Sequence, residues 1–126
     1  MKNQLSAVEE FHNAFGESNG SEPQLLPHDQ YVLRFKLGAE ELNEYVEACE
    51  KKDIVGIADA LGDQLYILCG TILKHGLQHK IEEVFAEIQR SNMSKLDANG
   101  KPIRRDDGKI LKGPGYTPPD IESILK

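Results

Sequence analysis

The sequence predicts an all-α protein, an antiparallel helical bundle of about four helices followed by a loop-rich C-terminal tail. Apolar residues recur at spacings of three or four through most of residues 1–91, whereas glycine, proline, aspartate and asparagine dominate after residue 91. A length of 126 residues is typical of one domain. We therefore expect a single domain over residues 1–126, with the bundle over 1–91 and a basic tail over 92–126.

The first two helices are separated by a loop. Helical spacing of apolar residues predicts a helix over about 4–15, which Gly16 ends. Residues 16–29 carry glycine, serine, asparagine and two prolines, and they predict a loop. A second helix is expected from Asp29, as its N-cap, to Glu50. Its predicted buried side consists of Val32, Phe35 or Lys36, Ala39, Leu42 and Val46.

A short connection follows, and Asp53 can cap a third helix that Gly76 closes after His75. So short a connection makes helices two and three antiparallel neighbours. A fourth helix is expected over about 77–91. The apolar positions that define these two helices are Ile57, Leu61, Leu65, Leu68 and Ile72, then Ile81, Val84 or Phe85, and Ile88.

The tail holds an Asp107-Gly108 step between two short isoleucine-containing pieces, which indicates a small hairpin or loop over 101–112. Thr117 or Pro118 could begin a last helical turn that ends near Leu125. The charge is uneven: residues 1–91 hold 8 basic against 16 acidic side chains, and residues 92–126 hold 7 against 5, giving −8 and +2.

Composition excludes several classes of protein. Hydrophobic residues make up 39% and charged residues 29%, which is typical of a soluble globular protein. No apolar run approaches the roughly 20 residues that span a bilayer, and the N-terminal residues lack the pattern of a secretory signal. A cytoplasmic location is therefore the expectation. The net charge of −6 argues against a general nucleic-acid binder.

Two helical stretches each carry a small carboxylate cluster: Glu40, Glu41 and Glu44 on the second helix, and Asp59 and Asp63 on the third. Residues three or four apart share a helix face. If the two helices pack together, the clusters form an oxygen-rich pocket that suits a hard cation such as Mg²⁺. The sequence therefore points to metal-assisted chemistry on phosphate.

The acidic pattern resembles the ExxE and ExxD helical motifs of MazG-like nucleotide pyrophosphohydrolases, the all-α NTP pyrophosphatase superfamily. The resemblance extends over most of residues 8–119 and is closest to the phosphoribosyl-ATP pyrophosphohydrolase-like and dUTPase-like varieties. Besides the acidic motifs, it includes the FH pair at 11–12, YILCGTILKHG at 66–76, RSNMSK at 90–95 and DGKILKGPGY at 107–116.

The resemblance implies hydrolysis of a nucleoside triphosphate such as dUTP between its α and β phosphates, with Mg²⁺ as cofactor and Mn²⁺ as an alternative ion. Glu41 and Glu44 match the ExxE ligands, and Asp63 matches the final residue of ExxD. Ala60 replaces the glutamate of that second motif. Asp59, four residues before Asp63 on the same face, is expected to substitute as a direct or water-mediated ligand.

The remaining site predictions concern catalysis and substrate binding. Glu40 is the candidate to orient the attacking water or take its proton. Amide, ammonium and aromatic groups that could meet a base, a sugar or phosphate follow later in the chain. These candidate substrate-binding residues are Asn92, Lys95, Lys109, Lys112 and Tyr116.

Two other functions are compatible with a helical bundle. One is a non-catalytic helical module that binds nucleotide or another protein and has lost turnover through Ala60. The other is a di-iron or di-manganese bundle, which normally needs Glu-x-x-His pairs, and the sequence has none. So short a chain does not fully cover its apolar helix faces. This feature and the resemblance together predict a homodimer or a dimer of dimers.

Overall fold

The structure, a computed structural model, describes all residues from 1 to 126 and confirms the all-α class. Its helices and strands are α1 (Lys2–Ala14), α2 (His28–Glu50), α3 (Ile54–Lys74), α4 (Ile81–Met93), β1 (Ile103–Arg104), β2 (Ile110–Leu111) and α5 (Ile121–Leu125). None of the helices has the length and apolar character needed to cross a membrane. The chain divides into two compact units, Met1–His79 and Lys80–Lys126. The expectation of one domain over 1–126 stays a prediction.

In the first unit, α3 packs against both α2 and α1. Residues 51–53 reverse the chain between α2 and α3, and Lys52 takes a positive φ of 55°. Asp53 caps α3 as predicted, because its side chain accepts a hydrogen bond of 3.0 Å from the backbone N–H of Gly56. The predicted cap of α2 was wrong: Pro27 is the N-cap, and Asp29 lies in the first turn, where its charge suits the helix dipole.

The loop between α1 and α2 is fastened to the C-terminal end of α3. The backbone N–H of Gly20 donates to the carbonyl of Leu73 at 2.8 Å, and the side-chain amide of Gln24 donates to the carbonyl of Lys74 at 2.8 Å. These bonds satisfy carbonyls that lack partners inside a helix. Gly76 ends α3 as predicted, with a φ of +68°.

The side of α2 that was predicted to be buried is largely exposed, and so are most of the apolar positions that indicated α3. On α2 only Ala48 is buried, while Phe35 is 74% exposed and Leu42 is 56% exposed. On α3 the buried residues are Ala60, Cys69, Gly70, Ile72, Leu73 and Lys74. Large apolar side chains of both helices therefore form an exposed surface. Of the predicted positions, only Ile72 is buried.

The second unit is built around α4. This helix begins at Ile81, later than the predicted start near residue 77, because residues 78–80 form a turn first. The predicted hairpin is confirmed, with Ile103 opposite Leu111 and Arg104 opposite Ile110. The tail returns to α4, where the hydroxyl of Ser91 donates to the carbonyl of Thr117 at 2.9 Å.

Candidate metal centre

Three carboxylates from α2 and α3 converge on one point. Glu41 and Glu44 lie one turn apart on α2, and Asp63 faces them from α3. Each offers an oxygen atom, and the three oxygens lie within 4.8 Å of one another. We call these residues the acidic trio. The short connection between α2 and α3 makes the convergence possible, because it sets the two helices side by side in opposite directions.

Glu41 has one carboxylate oxygen that is shielded from solvent. Its Oε2 atom is buried and has no hydrogen-bond partner in the protein. Partial burial raises the pKa of Glu41 to about 7, with further increases from its hydrogen bond to Glu44 and from the charges of Glu44, Asp63 and Asp59. A buried carboxylate oxygen without a partner is costly unless a proton or a cation satisfies it.

The trio fits a hard divalent cation. All its donor atoms are carboxylate oxygens, the ligands that Mg²⁺ and Mn²⁺ favour, and the orphaned oxygen of Glu41 has a free lone pair. Three carboxylates also leave an excess of negative charge once a divalent ion is bound. The bound cation, and not the remaining negative charge, is the part of such a site that could contact the phosphates of an anionic substrate.

The other predicted acidic residues lie near the trio and outside it. Glu40 is adjacent to Glu41 on α2 and is exposed. Asp59 is also exposed, although it lies close enough for its charge to raise the pKa of Glu41. Ala60 is 1% exposed, so the position where the ExxD motif has glutamate is packed inside the protein. The roles of Glu40 and Asp59 stay predictions.

The predicted substrate-binding residues all lie in the second unit. Asn92 is exposed near the end of α4, and Lys95 is half-buried just after it. Lys109 and Lys112 flank β2. Lys112 makes a cation–π contact with Tyr116: its Nζ lies 4.8 Å from the centre of the tyrosine ring.

A second feature of the first unit was not predicted from the sequence. A cavity of about 500 Å³, which we call the three-helix pocket, lies between α1, α2 and α3, and Arg34 and His12 contribute polar groups to it. Arg34 lies seven residues before Glu41, so the two share one face of α2. Two features of the sequence could have indicated this pocket. One is the spacing of Arg34 and Glu41, and the other is a glycine at position 70 inside α3.

An antiparallel helix pair that presents three carboxylates to one point is a chemically suitable site for a hard divalent ion, and such an ion can assist reactions of phosphates. Comparison with known families agrees: residues 8–92 match the family described as phosphoribosyl-ATP pyrophosphohydrolase. The chain belongs to this family, which is part of the MazG-like superfamily, and it is a pyrophosphohydrolase.

A solved structure supports the same class. The chain is similar to a crystal structure of a candidate NTP pyrophosphohydrolase from Exiguobacterium sp. 255-15, with 27% identity and a TM-score of 0.50. The similarity covers 95% of this chain and 90% of the other. No curated protein matches the sequence. Family and structure together indicate an activity of the NTP pyrophosphohydrolase type.

Proposed function

We propose that this protein is a Mg²⁺-dependent nucleoside triphosphate pyrophosphohydrolase that cleaves the bond between the α and β phosphates of a nucleotide such as dUTP. The products are the monophosphate and pyrophosphate. The observation that carries the proposal is the acidic trio, with its three carboxylate oxygens within 4.8 Å and the unpartnered oxygen of Glu41. Such a site is repulsive on its own and becomes favourable with a cation.

In this proposal Glu41, Glu44 and Asp63 hold the ion, with Mn²⁺ as an alternative to Mg²⁺. The bound ion would neutralise charge that develops on the phosphoryl oxygens. Asp59 adds a ligand directly or through water, and its charge already acts on Glu41. Glu40, exposed beside the trio, is free to orient a water molecule and to accept its proton.

The test is a chromatographic assay of purified protein with a panel of ribo- and deoxyribonucleoside triphosphates and Mg²⁺. We expect monophosphate and pyrophosphate as products, and no turnover after the ion is removed with EDTA. Added Mg²⁺ or Mn²⁺ should restore it. Diphosphate and inorganic phosphate would contradict the proposed bond position. Binding of nucleotide without product under any divalent ion would instead favour the non-catalytic module.

We also propose that Asn92, Lys95, Lys109, Lys112 and Tyr116 contact the substrate. Their support is chemical: the second unit supplies amide, ammonium and aromatic groups, and residues 92–126 carry the net positive charge of the chain. Replacing both Lys109 and Lys112 by glutamine should raise KM about tenfold, since each lost charge-assisted bond to phosphate weakens binding. Steady-state kinetics would measure it. An unchanged KM would contradict this part of the proposal.

A homodimer, or a dimer of dimers, is proposed from the exposed apolar surface of α2 and α3. Phe35 and Leu42 on α2, with Leu61, Leu65 and Leu68 on α3, line a groove of about 560 Å³. All five are between 40% and 74% exposed, and so large a patch is unusual on a monomer. A second copy of the chain presents the same surface and can cover it symmetrically.

Sedimentation analysis at micromolar concentration should therefore give at least the mass of a dimer. Leu65→Glu, which introduces a charge into the groove, should shift the protein toward monomer. Val55→Glu is the matched control, because Val55 is 76% exposed near the start of α3 and does not line the groove. A wild-type monomer would contradict the proposal.

A further inference from the structure

The three-helix pocket continues the same helix faces that carry the acidic trio. On α2, Arg34 and Leu37 line the pocket, and Glu41 follows Leu37 by four residues. On α3, Ile67 lines the pocket one turn from Asp63. Arg34 and Glu41 are separated by about 10 Å along α2. A nucleotide whose phosphates lie at the trio could therefore extend its base along the helix pair into the pocket.

The walls of the pocket suit a flat ring. Apolar side chains from all three helices line it, including Val8, Leu33 and Ile67. Phe11 and Tyr66 also line it, and their rings meet edge to face with centres 5.7 Å apart. Pockets of this size, apolar with a few placed polar groups, are typical of small-molecule sites.

Arg34 is the cationic group of the pocket that has spare donors. Its Nε donates to the hydroxyl of Thr71 at 2.9 Å, and its Nη2 donates to the carbonyl of Ile67 at 2.7 Å. Both acceptors are neutral. No carboxylate forms an ion pair with this guanidinium, although Glu17, which also lines the pocket, is close enough for its charge to act on Arg34. Burial lowers the pKa of Arg34, yet a guanidinium stays charged in proteins. The two anchored nitrogens fix its plane, while Nη1 has no partner in the protein.

The absence of a side chain at Gly70 leaves room for this group. A Cβ atom at Gly70 would lie 2.6 Å from Nη2 of Arg34 and 3.1 Å from Nε2 of His12. Glycine is unfavourable inside a helix, so its presence in α3 needs a reason. Its lack of a side chain makes room for Arg34 and His12. His12 is held by a 2.6 Å hydrogen bond between its Nδ1 and Asn19. The pocket thus has a fixed donor, Arg34, beside an imidazole whose Nε2 is unpartnered.

By contrast, the ammonium of Lys74 is already paired. It donates to Glu17 at 2.7 Å and is mostly buried. Arg34 therefore supplies the free positive charge of the pocket. Apolar and aromatic walls disfavour a phosphate here, because a phosphate would lose hydration against them. A neutral ring with a carbonyl oxygen fits both the walls and the donor.

We infer that Arg34 is a specificity-determining residue that donates from Nη1 to a base carbonyl, so that the enzyme prefers keto bases. Uracil, thymine and guanine carry a carbonyl oxygen where cytosine and adenine carry an amino group. An amino group facing the guanidinium would leave two donors opposed and unsatisfied. This inference rests on the proposed hydrolysis at the acidic trio, which places the phosphates there and the far edge of the base near Arg34.

The test compares dUTP with dCTP, which differ at that edge in a carbonyl against an amino group. We expect the wild-type kcat/KM to favour dUTP by about ten- to a hundredfold, and the ratio to fall to about one in Arg34→Met. Lys36→Met is the matched control, because Lys36 lies exposed on α2 and does not line the pocket. It should keep the wild-type ratio. A purely structural role for Arg34 would lower both substrates equally, and an unchanged ratio overturns the inference.

A binding measurement separates this inference from the proposed function. Calorimetry of dUMP and dCMP without a metal ion should show the same preference for dUMP, and Arg34→Met should lose it. If no nucleotide is hydrolysed but this preference exists and is lost in the variant, the proposed function fails and the role of Arg34 stands. If Arg34→Met does not fold, Arg34→Gln decides: a glutamine amide can donate to a carbonyl and also accept from an amino group, so this variant should lose the preference. Equal binding of dUMP and dCMP by the wild type overturns the inference.

Discussion

Replacing Glu41 by glutamine should reduce kcat by about a hundredfold or more while making the metal-free protein more stable near pH 8. In the proposed mechanism Glu41 is one of the charged ligands of the ion, so its replacement removes a preorganised charge at the transition state, which is worth about that factor. The gain in stability follows because the substitution removes a partly buried carboxylate that Glu44, Asp63 and Asp59 repel. Pyrophosphate release and thermal unfolding in EDTA measure the two effects.

The pH dependence of stability gives an independent check on the expected gain in stability of Glu41→Gln. The pKa of Glu41 is raised to about 7 in the folded protein, against an ordinary value of 4.5, so between these pH values the folded state binds more protons. Its stability should therefore fall relative to Glu41→Gln as pH rises through this window. Below the window the two proteins should differ little. Glu47→Gln, on the same helix and exposed, is the control that should show neither effect.

Replacing Gly76 by alanine should destabilise the protein by about 3 kcal/mol and lower Tm by about 10 °C. Gly76 has a φ of +68°, which strains any side chain with a Cβ. A Cβ there would also collide with the carbonyl of Glu22 in the loop that is fastened to α3. Thermal or urea unfolding with circular dichroism would measure the loss.

Gly16→Ala separates these two causes. Gly16 has a similar φ of +75°, but nothing lies within 4 Å of the position that its Cβ would take. This variant should lose only the conformational part, about 1 kcal/mol. Equal losses in the two variants would show that the loop moves freely away from α3, contrary to its hydrogen bonds with Leu73 and Lys74.

The parts of the fold that depend on local rules could be predicted from the sequence. Asp53 caps α3 through its own neighbour Gly56, and Gly76 ends the same helix, so both boundaries are set by nearby residues. The buried side of α2 could not be predicted, because an apolar stripe shows only that a helix needs a partner. In the structure α2 buries Ala48 and leaves Phe35 exposed.

The candidate site also has features that the sequence could predict and features that it could not. Glu41, Glu44 and Asp63 were predictable because helical spacing and one short turn suffice to bring them together. The burial of one oxygen of Glu41 depends on how closely α2 and α3 pack, which spacing does not give. Arg34 was missed because in the sequence it looks like an ordinary surface charge. Its contacts with Thr71 and Ile67 are made to the other helix of the pair, and residue spacing does not show them.

The three-residue connection between α2 and α3 has a consequence for how the protein folds. Contacts between these helices join positions that are near in the chain, and such low-contact-order pairings form early and quickly. The same closure drives like charges together before the rest of the unit can hold them. A divalent ion that binds the acidic trio is therefore expected to speed refolding of the protein, because it would relieve electrostatic repulsion in the folding transition state.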